Sequence, residues 1–401
     1  MKLYRYFFWL LILLLPVQLG RHFWPSWTQV LGLRIDYLSP TLYLTDLLVL
    51  GVLFSWFLQK RNHWRQFYRG IKKHWWLMAA LAFLTVNCLM AANPGAAFYQ
   101  LIKIVELALL AFYVSREKYT WSDLYLPLSL AVVYSSLLAL LQFWQQTSLG
   151  GLWWWLGERS FNLMTPGIAK SVVGGKLMMR PYGTFPHPNV LAGFLLVAMV
   201  VVGVQKKAKS LWWWLVMTLG GLTIIVSFSR VTWLVGLLIG LGFIVLKFSK
   251  KRWRFLVGGV VLFLLLIGFY LALSLSGQET IDQRLALAQV ALKMVADRPL
   301  GGVALNNFIP LLPLYWQPFG TTYWLQPVHN IYLLVAAETG LTGLLVFLWL
   351  LILTLRRIKI DSRLLVVWLV ILALGLVDHY WLTLQQSQLL LAIVFGLSWR
   401  G

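Results

Sequence analysis

The sequence predicts an all-α, polytopic membrane protein with about twelve transmembrane helices. Of its 401 residues, 60% are hydrophobic and only 11% are charged, whereas charged residues make up roughly a quarter of a water-soluble domain. The apolar residues form continuous runs long enough for helices to cross a bilayer, not the alternating pattern of a membrane β-barrel. We therefore interpret residues 1–401 as a single integral membrane domain.

Each apolar run can be placed to within a few residues at either end. The runs occupy residues 5–20, 41–58, 76–91, 98–114, 124–145, 189–204, 210–227, 231–247, 255–275, 331–354, 364–380 and 386–398. The first run follows two basic residues, as in a signal peptide. Because no small-x-small cleavage site follows it, we interpret it as a retained helix.

The basic residues indicate how the chain crosses the membrane. The formal net charge of +22 would suggest a nucleic-acid partner in a soluble protein, but here Lys and Arg lie in short clusters between apolar runs. Residues 59–75 contain six of them and residues 92–97 contain none, and this contrast recurs along the chain. By the positive-inside rule both termini are cytoplasmic, and we expect no nucleic-acid partner.

Two segments on the extracytoplasmic side, residues 146–188 and 276–330, are much longer than the others. Loops of this length are expected to contain structure of their own. The first contains Trp153, Trp154 and Trp155. Because indoles favour the membrane interface, we expect this loop to lie on the bilayer surface.

The second long loop opens with a capping-box sequence, Thr280-Ile-Asp-Gln283. Apolar residues then recur at spacings of four and three, which predicts an amphipathic helix that ends before Pro299. The predicted apolar stripe consists of Ile281, Leu285, Ala288, Leu292 and Val295. With this stripe in the membrane interface, Arg284 would lie at headgroup height.

Few ionisable residues lie within the apolar runs, where each costs roughly 2.5–3.5 kcal/mol to insert. Lys103 and Glu106 are three residues apart, so on a helix they can form an ion pair that faces the bundle. For Glu338, in the tenth run, a functional and a packing role are equally compatible with the sequence. A single cysteine, Cys88, excludes an intrachain disulfide and a cysteine-based metal cluster.

The polar residues best placed for chemistry lie on the extracytoplasmic side. The stretch Arg180-Pro-Tyr-Gly-Thr-Phe-Pro-His-Pro-Asn189 contains three prolines and a glycine, which predict a rigid turn. Asn189 is placed to cap the helix that follows. His187 belongs either to a site or to the ordinary surface. Arg230, at the outer end of the seventh run, either serves a site or anchors its helix at the interface.

A histidine marks the start of the tenth helix, where the chain reads Pro327-Val-His329-Asn330. The helix dipole at His329 favours the neutral imidazole, which is suited to act as a general base. An ordinary interfacial histidine is the alternative. The pair Asp378-His379, at the end of the eleventh run, favours a structural role at the interface.

Together these residues predict transfer from a lipid diphosphate. Guanidinium groups match phosphate oxygens in a two-pronged geometry, so we expect Arg180, Arg230 and Arg284 to bind the diphosphate. His329 can take the proton of an acceptor hydroxyl. A diphosphate whose negative charge is neutralised by the arginines can leave without being protonated. The long loops contain few acids, so we expect no metal and no cofactor. The supporting residues of this candidate site are Asn189, Asn330, Glu338 and His187.

Several stretches resemble the O-antigen ligase and O-antigen polymerase superfamily. They are Arg180 to Ala192, Ser229-Arg230, Arg284 through Phe308, Val328-His329-Asn330, and Glu338-Thr-Gly340-Leu-Thr-Gly343. The twelve spans and the large penultimate outer loop are similar over nearly the whole chain. A departure is Ala304, where relatives often carry a second glycine in Gly-Val-Gly, which leaves the turn at this position in doubt.

The resemblance implies a metal-independent glycosyltransferase of the bacterial inner membrane. Such enzymes take a glycan from an undecaprenyl diphosphate carrier in the outer leaflet and join it to an acceptor sugar, which is lipid A core for a ligase and a second carrier-linked glycan for a polymerase. The histidine matched by His329 is thought to activate the acceptor, and the arginines matched by Arg230 and Arg284 to hold the diphosphate. Without a convincing carboxylate nucleophile, the anomeric centre should invert.

Two other functions remain open from the sequence. A flippase for lipid-linked saccharide would need polar groups near the midplane and often shows repeated halves, whereas here the polar groups crowd one surface, which favours an enzyme. A peptidoglycan glycan-strand polymerase of related architecture would differ mainly in its acceptor. The motifs do not separate a ligase from a polymerase.

Overall fold

The structure, a computed structural model, describes residues 2–59, 64–65, 68–70, 72, 75–117, 119–203, 210–248, 278–316, 324–358 and 363–400. These residues are predominantly helical. The helices are α1 (Leu3–Leu13), α2 (Leu44–Gln59), α3 (Trp76–Leu89), α4 (Pro94–Arg116), α5 (Trp121–Gln145), α6 (Pro188–Gly203), α7 (Leu211–Val226), α8 (Arg230–Phe248), α9 (Gln278–Asp297), α10 (Phe308–Tyr315), α11 (Ile331–Arg357), α12 (Arg363–Gly375), α13 (Tyr380–Thr383) and α14 (Gln385–Ser398).

The helices follow the predicted apolar runs. Each run other than 255–275, which lies outside the described residues, corresponds to a helix in this structure. Three helices in the described part, α4, α5 and α11, are long and apolar enough to cross a membrane, and most of the others are shorter apolar helices. The predicted class, an all-α membrane protein, is confirmed.

Short strands, which the sequence did not predict, occur in the loops. They are β1 (Gly20–His22), β2 (Gln29–Val30), β3 (Leu33–Arg34), β4 (Thr41–Tyr43), β5 (Lys170–Val173) and β6 (Lys176–Met179). They pair antiparallel as β1 with β4, β2 with β3 and β5 with β6. The residues between α1 and α2 therefore form a compact loop rather than an extended link.

The main apolar core lies where helices from both halves of the chain meet. α1 packs on α2 and α5, α4 packs on α14, and α6 packs on α5, α7 and α12. The largest side chains that are fully buried here include Trp56, Trp368 and Trp381. In a bilayer, close van der Waals packing between the helices stabilises this core, because lipid tails are as apolar as the side chains and supply no hydrophobic driving force between helices.

The predicted pairing of Lys103 and Glu106 is confirmed. The Lys103 Nζ lies 2.7 Å from Glu106 Oε2 and 2.6 Å from Asp46 Oδ1 on α2. Gln385, at the start of α14, donates to the same Asp46 carboxylate. Because each charge has a partner, this network joins three helices in the apolar core without leaving an unpaired ion.

The amphipathic helix α9 is present, but its predicted N-cap is wrong. The helix already includes Gln278, so Thr280 lies inside it. Leu285 and Leu292 of the predicted stripe are each 56% exposed, while Ala288 and Val295 pack against the protein. The most buried residues of the helix, Leu287, Val290, Ala291 and Met294, form a second apolar face that the predicted stripe did not include.

Residues 299–307 form a tight segment that docks on α11 at a break in that helix. Gly340 has φ +68°, a non-helical conformation inside α11, and side chains at Gly340 or Gly302 would collide with the opposing backbone. Asn87 on α3 binds the same segment: its Nδ2 donates to Gly301 O (2.7 Å) and its Oδ1 accepts from Leu305 N (2.8 Å). These contacts fix the segment against both helices.

Ala304 occupies a backbone conformation suited to glycine, with φ +82°. An L-residue there costs roughly 1–2 kcal/mol, and glycine would add an entropic cost of roughly 0.5–1 kcal/mol. We therefore expect Ala304→Gly to stabilise the protein by about 0.5–1 kcal/mol, seen as a higher Tm in detergent. The matched control Ala336→Gly, inside α11, should be destabilised by about 1 kcal/mol. A Tm of Ala304→Gly equal to or lower than that of the wild type would contradict this account of the turn.

Candidate functional site

His329 lies immediately before α11, as the sequence predicted. Asn330 is the N-cap, and its side-chain oxygen accepts from the backbone N–H groups of Tyr332 and Leu333 (both 2.9 Å). The Asn330 Nδ2 also donates to Leu376 O (3.0 Å). One asparagine thus caps the helix and ties it to the turn between α12 and α13, which fixes the backbone that carries His329.

The turn after α12 places a carboxylate against this histidine. The His329 Nδ1 lies 3.5 Å from Asp378 Oδ1, and the His329 and His379 ring centroids are 5.1 Å apart. Asp378 Oδ1 also accepts from the His379 backbone N–H (2.9 Å). A carboxylate facing Nδ1 favours the tautomer that holds its proton there, which leaves Nε2 free to accept one.

Arg284 reaches the same turn from α9. Its Nη1 donates to Val377 O (3.0 Å), next to Asp378. The remaining guanidinium N–H groups are available for a ligand, because this bond uses only one of five donors. Two predicted site residues that are 45 positions apart in the sequence, Arg284 and His329, therefore meet at one turn.

The turn before α6 positions Arg180 and is rigid, as predicted. The Arg180 Nε donates to Ser227 O (2.7 Å) and its Nη2 to Asn189 Oδ1 (2.6 Å). Beneath it, the side-chain oxygen of Gln142 accepts from Gly183 N (2.7 Å), and Gly183 has φ +59°. A guanidinium held at two points keeps its orientation at little further entropic cost.

The predicted capping role of Asn189 is wrong. Helix α6 already begins at Pro188, and His187 takes the capping position: its Nδ1 accepts from Asn189 N (3.1 Å). Proline has no N–H group that would need a partner at the first helical position, so Pro188 is well suited to begin α6. The Asn189 side chain is thereby free to accept from Arg180, so it supports the guanidinium instead of the helix end.

Arg230 is the first residue of α8 and is exposed. The Ser229 Oγ and Thr232 Oγ1 lie 2.8 Å apart at the same helix end. The N-terminus of a helix favours anions because its backbone N–H groups and dipole point outward. Arg230 is within electrostatic reach of Arg180, so the three predicted arginines belong to one region.

Positive charge is in excess in this region. Burial and the charges of Arg230 and Arg284 lower the pKa of Arg180 to about 10. Burial, together with Arg180, lowers the pKa of His187 to about 3. Asp378 is the carboxylate here: burial acts to raise its pKa, but His329, His379 and Arg284 outweigh burial and hold the pKa well below its usual range. The site therefore favours binding of an anion.

Glu338 lies apart from these residues. It is on α11 beside the docked segment, and its carboxylate interacts with the backbone of Asn306 and Phe308. Glu338 is therefore connected with the 299–307 segment, while Arg284, His329 and Asn330 contact the turn at residues 376–379.

The sequence favoured a structural role for the pair Asp378-His379 and did not point to Tyr37 or Arg159. Tyr37, in the loop between α1 and α2, packs edge-on against His379, with ring centroids 5.4 Å apart. The Arg159 Nη2 donates to Pro186 O (2.7 Å), beside His187. The adjacent pair Asp378-His379 is itself a sequence signal for these two residues, but no local pattern points to Tyr37.

The nitrogen and oxygen atoms of His329, Asp378 and His379 that could bind a metal lie within 4.8 Å of one another. Such a set could hold a divalent cation. Arg284 lies close enough to influence the charge of Asp378, and its positive charge opposes a second cation at this position. The same arrangement of His329, Asp378 and His379 also suits proton transfer.

Comparison with known proteins supports this interpretation. Residues 215–348 match the family model described as O-antigen ligase, a segment that begins in α7 and contains Arg230, Arg284 and His329. No curated protein and no solved structure matches the chain. The family match bears out the resemblance to the O-antigen ligase and polymerase superfamily over this part of the chain.

The low pKa of His187 predicts a stability that falls in acid. Between pH 6.5 and about 3 the unfolded chain binds a proton at this residue that the folded chain does not, so stability decreases as pH falls below 6.5. The loss approaches about 1.4 kcal/mol per pH unit. His187→Asn keeps a capping side chain and should lose less stability between pH 7 and pH 5, measured by thermal unfolding. Parallel pH profiles of the two proteins would contradict this.

Proposed function

We propose that the protein transfers a glycan from an undecaprenyl-diphosphate carrier to an acceptor sugar at the extracytoplasmic face of the bacterial inner membrane. The observation that carries the proposal is that Arg284, His329 and Asp378 meet at one turn, while Arg180 lies within electrostatic reach of both Arg230 and Arg284. Three guanidinium groups in one region with the carboxylate of Asp378 leave a positive charge that a diphosphate would neutralise. The family match over residues 215–348 supports the same reaction class.

The reaction is a direct displacement in which His329 Nε2 takes the proton of the acceptor hydroxyl. The acceptor oxygen forms a bond to the anomeric carbon of the donor while the bond from that carbon to the diphosphate oxygen breaks, and its electron pair leaves with the diphosphate. The arginines stabilise the departing charge. Asp378 orients His329 and stabilises the imidazolium. One displacement inverts the anomeric centre and requires neither metal nor cofactor.

The proposed function includes a membrane topology that places the site outside the cytoplasm. Twelve spans with both termini in the cytoplasm put the turn before α6, the start of α8, the 278–330 region and the turn after α12 on the extracytoplasmic side. The charge distribution between the apolar runs supports this orientation. The exposed Trp154, Trp155 and Leu152 of the first long loop are suited to contact the membrane interface.

The acceptor is either lipid A core or a second carrier-linked glycan. The test is to incubate the purified protein in proteoliposomes with undecaprenyl-diphosphate oligosaccharide, with and without lipid A core, and with EDTA in a parallel series. Transfer to core indicates a ligase, and chain growth without core indicates a polymerase. Loss of activity in EDTA that Mg²⁺, Mn²⁺ or Zn²⁺ restores would contradict the metal-independent mechanism.

Removing the base should abolish most of the transfer. A general base typically contributes 10²- to 10⁴-fold, so His329→Ala should lower kcat by about that factor. Asp378→Asn should lower kcat in the same direction, because the imidazolium loses its counter-charge. His22→Asn, on β1, is the control and should retain normal kcat. Full activity of His329→Ala in proteoliposomes would show that another group is the base.

The variant Arg284→Lys should also lose activity, although it keeps the positive charge. A lysine ammonium cannot reproduce the planar fork that both donates to Val377 O and meets a phosphate. Loss of charge-assisted hydrogen bonds of roughly 1.5–3 kcal/mol each predicts a loss of kcat/KM for the donor of about 10- to 100-fold. Arg298→Lys, just beyond α9, is the matched control. Normal donor kinetics in Arg284→Lys would rule out the diphosphate contact.

A further inference from the structure

The loop between α1 and α2 contributes a surface at the candidate site that the proposed mechanism does not use. Ile35 and Leu38 are buried with α9 and the start of α11, and the Asn306 Nδ2 donates to Tyr37 O (3.2 Å). The Tyr37 ring meets His379 at an interplanar angle of 79°. These contacts hold Tyr37 in place independently of any ligand.

The hydroxyl group of Tyr37 makes no hydrogen bond within the described part of the chain, although the residue is only partly exposed. Burial and the charges of Asp378 and Asp36 raise the pKa of Tyr37, so the hydroxyl keeps its proton and remains a donor. A phenol held rigidly with an unused donor, beside an exposed carboxylate at Asp36, is suited to bind a hydroxyl group of a ligand.

A second polar group within electrostatic reach of Tyr37 belongs to the first long loop. Arg159 is exposed, and it is fixed by its bond to Pro186 O, beside His187, and by the Tyr182 ring, whose centroid is 5.6 Å from its guanidinium carbon. Its charge acts on Tyr37. The proposed mechanism assigns no role to Arg159.

We propose that Tyr37, Asp36 and Arg159 form a subsite for the hydroxyl groups of the acceptor sugar. This inference rests on the proposed glycosyl transfer. Tyr37 is joined to the base through His379, whose ring centroid is 5.1 Å from that of His329, so a sugar bound at Tyr37 would lie beside the base. A donating phenol, an accepting carboxylate and a forked donor match sugar hydroxyls, and an aromatic ring suits the apolar face of a sugar.

The test compares Tyr37→Phe and Arg159→Gln with Arg21→Gln, an exposed arginine on the same loop. The loss of one hydrogen bond, roughly 0.5–1.5 kcal/mol, corresponds to about a 2- to 10-fold change. In proteoliposomes each subsite variant should raise the acceptor KM by this factor, while the donor KM and the slow hydrolysis of donor without acceptor remain at the wild-type value. Unchanged acceptor KM, or an equal rise in donor KM, would overturn the subsite.

Direct binding separates this inference from the proposed reaction. The probes are deacylated lipid A core oligosaccharide and free repeat-unit oligosaccharide, titrated calorimetrically into the detergent-purified protein. Weaker binding by Tyr37→Phe and Arg159→Gln than by Arg21→Gln supports the subsite even if no variant, nor the wild type, transfers glycan. Binding of neither probe to the wild type, or equal binding by all variants, would overturn it.

Discussion

The mutual repulsion of guanidinium groups is the interaction on which the candidate site depends. Arg180 lies within electrostatic reach of both Arg230 and Arg284, and Asp378 supplies a carboxylate for the same region. Such an arrangement costs free energy in the empty protein, and this cost is offset when an anion binds. It persists because hydrogen bonds to Ser227 and Asn189 hold Arg180, a hydrogen bond to Val377 holds Arg284, and Arg230 is placed by the start of α8.

His187 and His379 remain neutral for related reasons. Each is shielded from water and lies near arginines, which lowers the pKa of each to about 3. Neutral imidazoles can accept hydrogen bonds, and His187 uses this to cap α6. These two histidines therefore add no positive charge to that of the arginines, for which a two-pronged contact with phosphate is possible.

The sequence was sufficient to predict most of the fold because apolar runs of spanning length leave few alternatives to helices. It also predicted Arg180, Arg230, Arg284 and His329, since a charged or polar residue at the end of an apolar run requires an explanation. Which of these residues meet is a long-range property: the contact of Arg284 with Val377 crosses 93 positions. Local patterns contain no information about such a contact.

The errors have the same origin. Asn189 has the chemistry of an N-cap, but Arg180 competes for its side-chain oxygen and His187 caps the helix instead. Here a tertiary partner overrode a correct local preference. The second apolar face of α9 is likewise explained by its contact with α11 and not by the periodicity of the helix alone.

The break at Gly340 divides α11 into two parts with different surroundings. The N-terminal part follows His329 and is fastened to residues 299–307, whereas the C-terminal part extends through apolar residues to Arg357. Helices adapt to bilayers of different thickness by tilting. The break at this junction lets the two parts of α11 tilt by different amounts, so we expect the backbone around His329 to move less than the C-terminal part when the thickness of the bilayer changes.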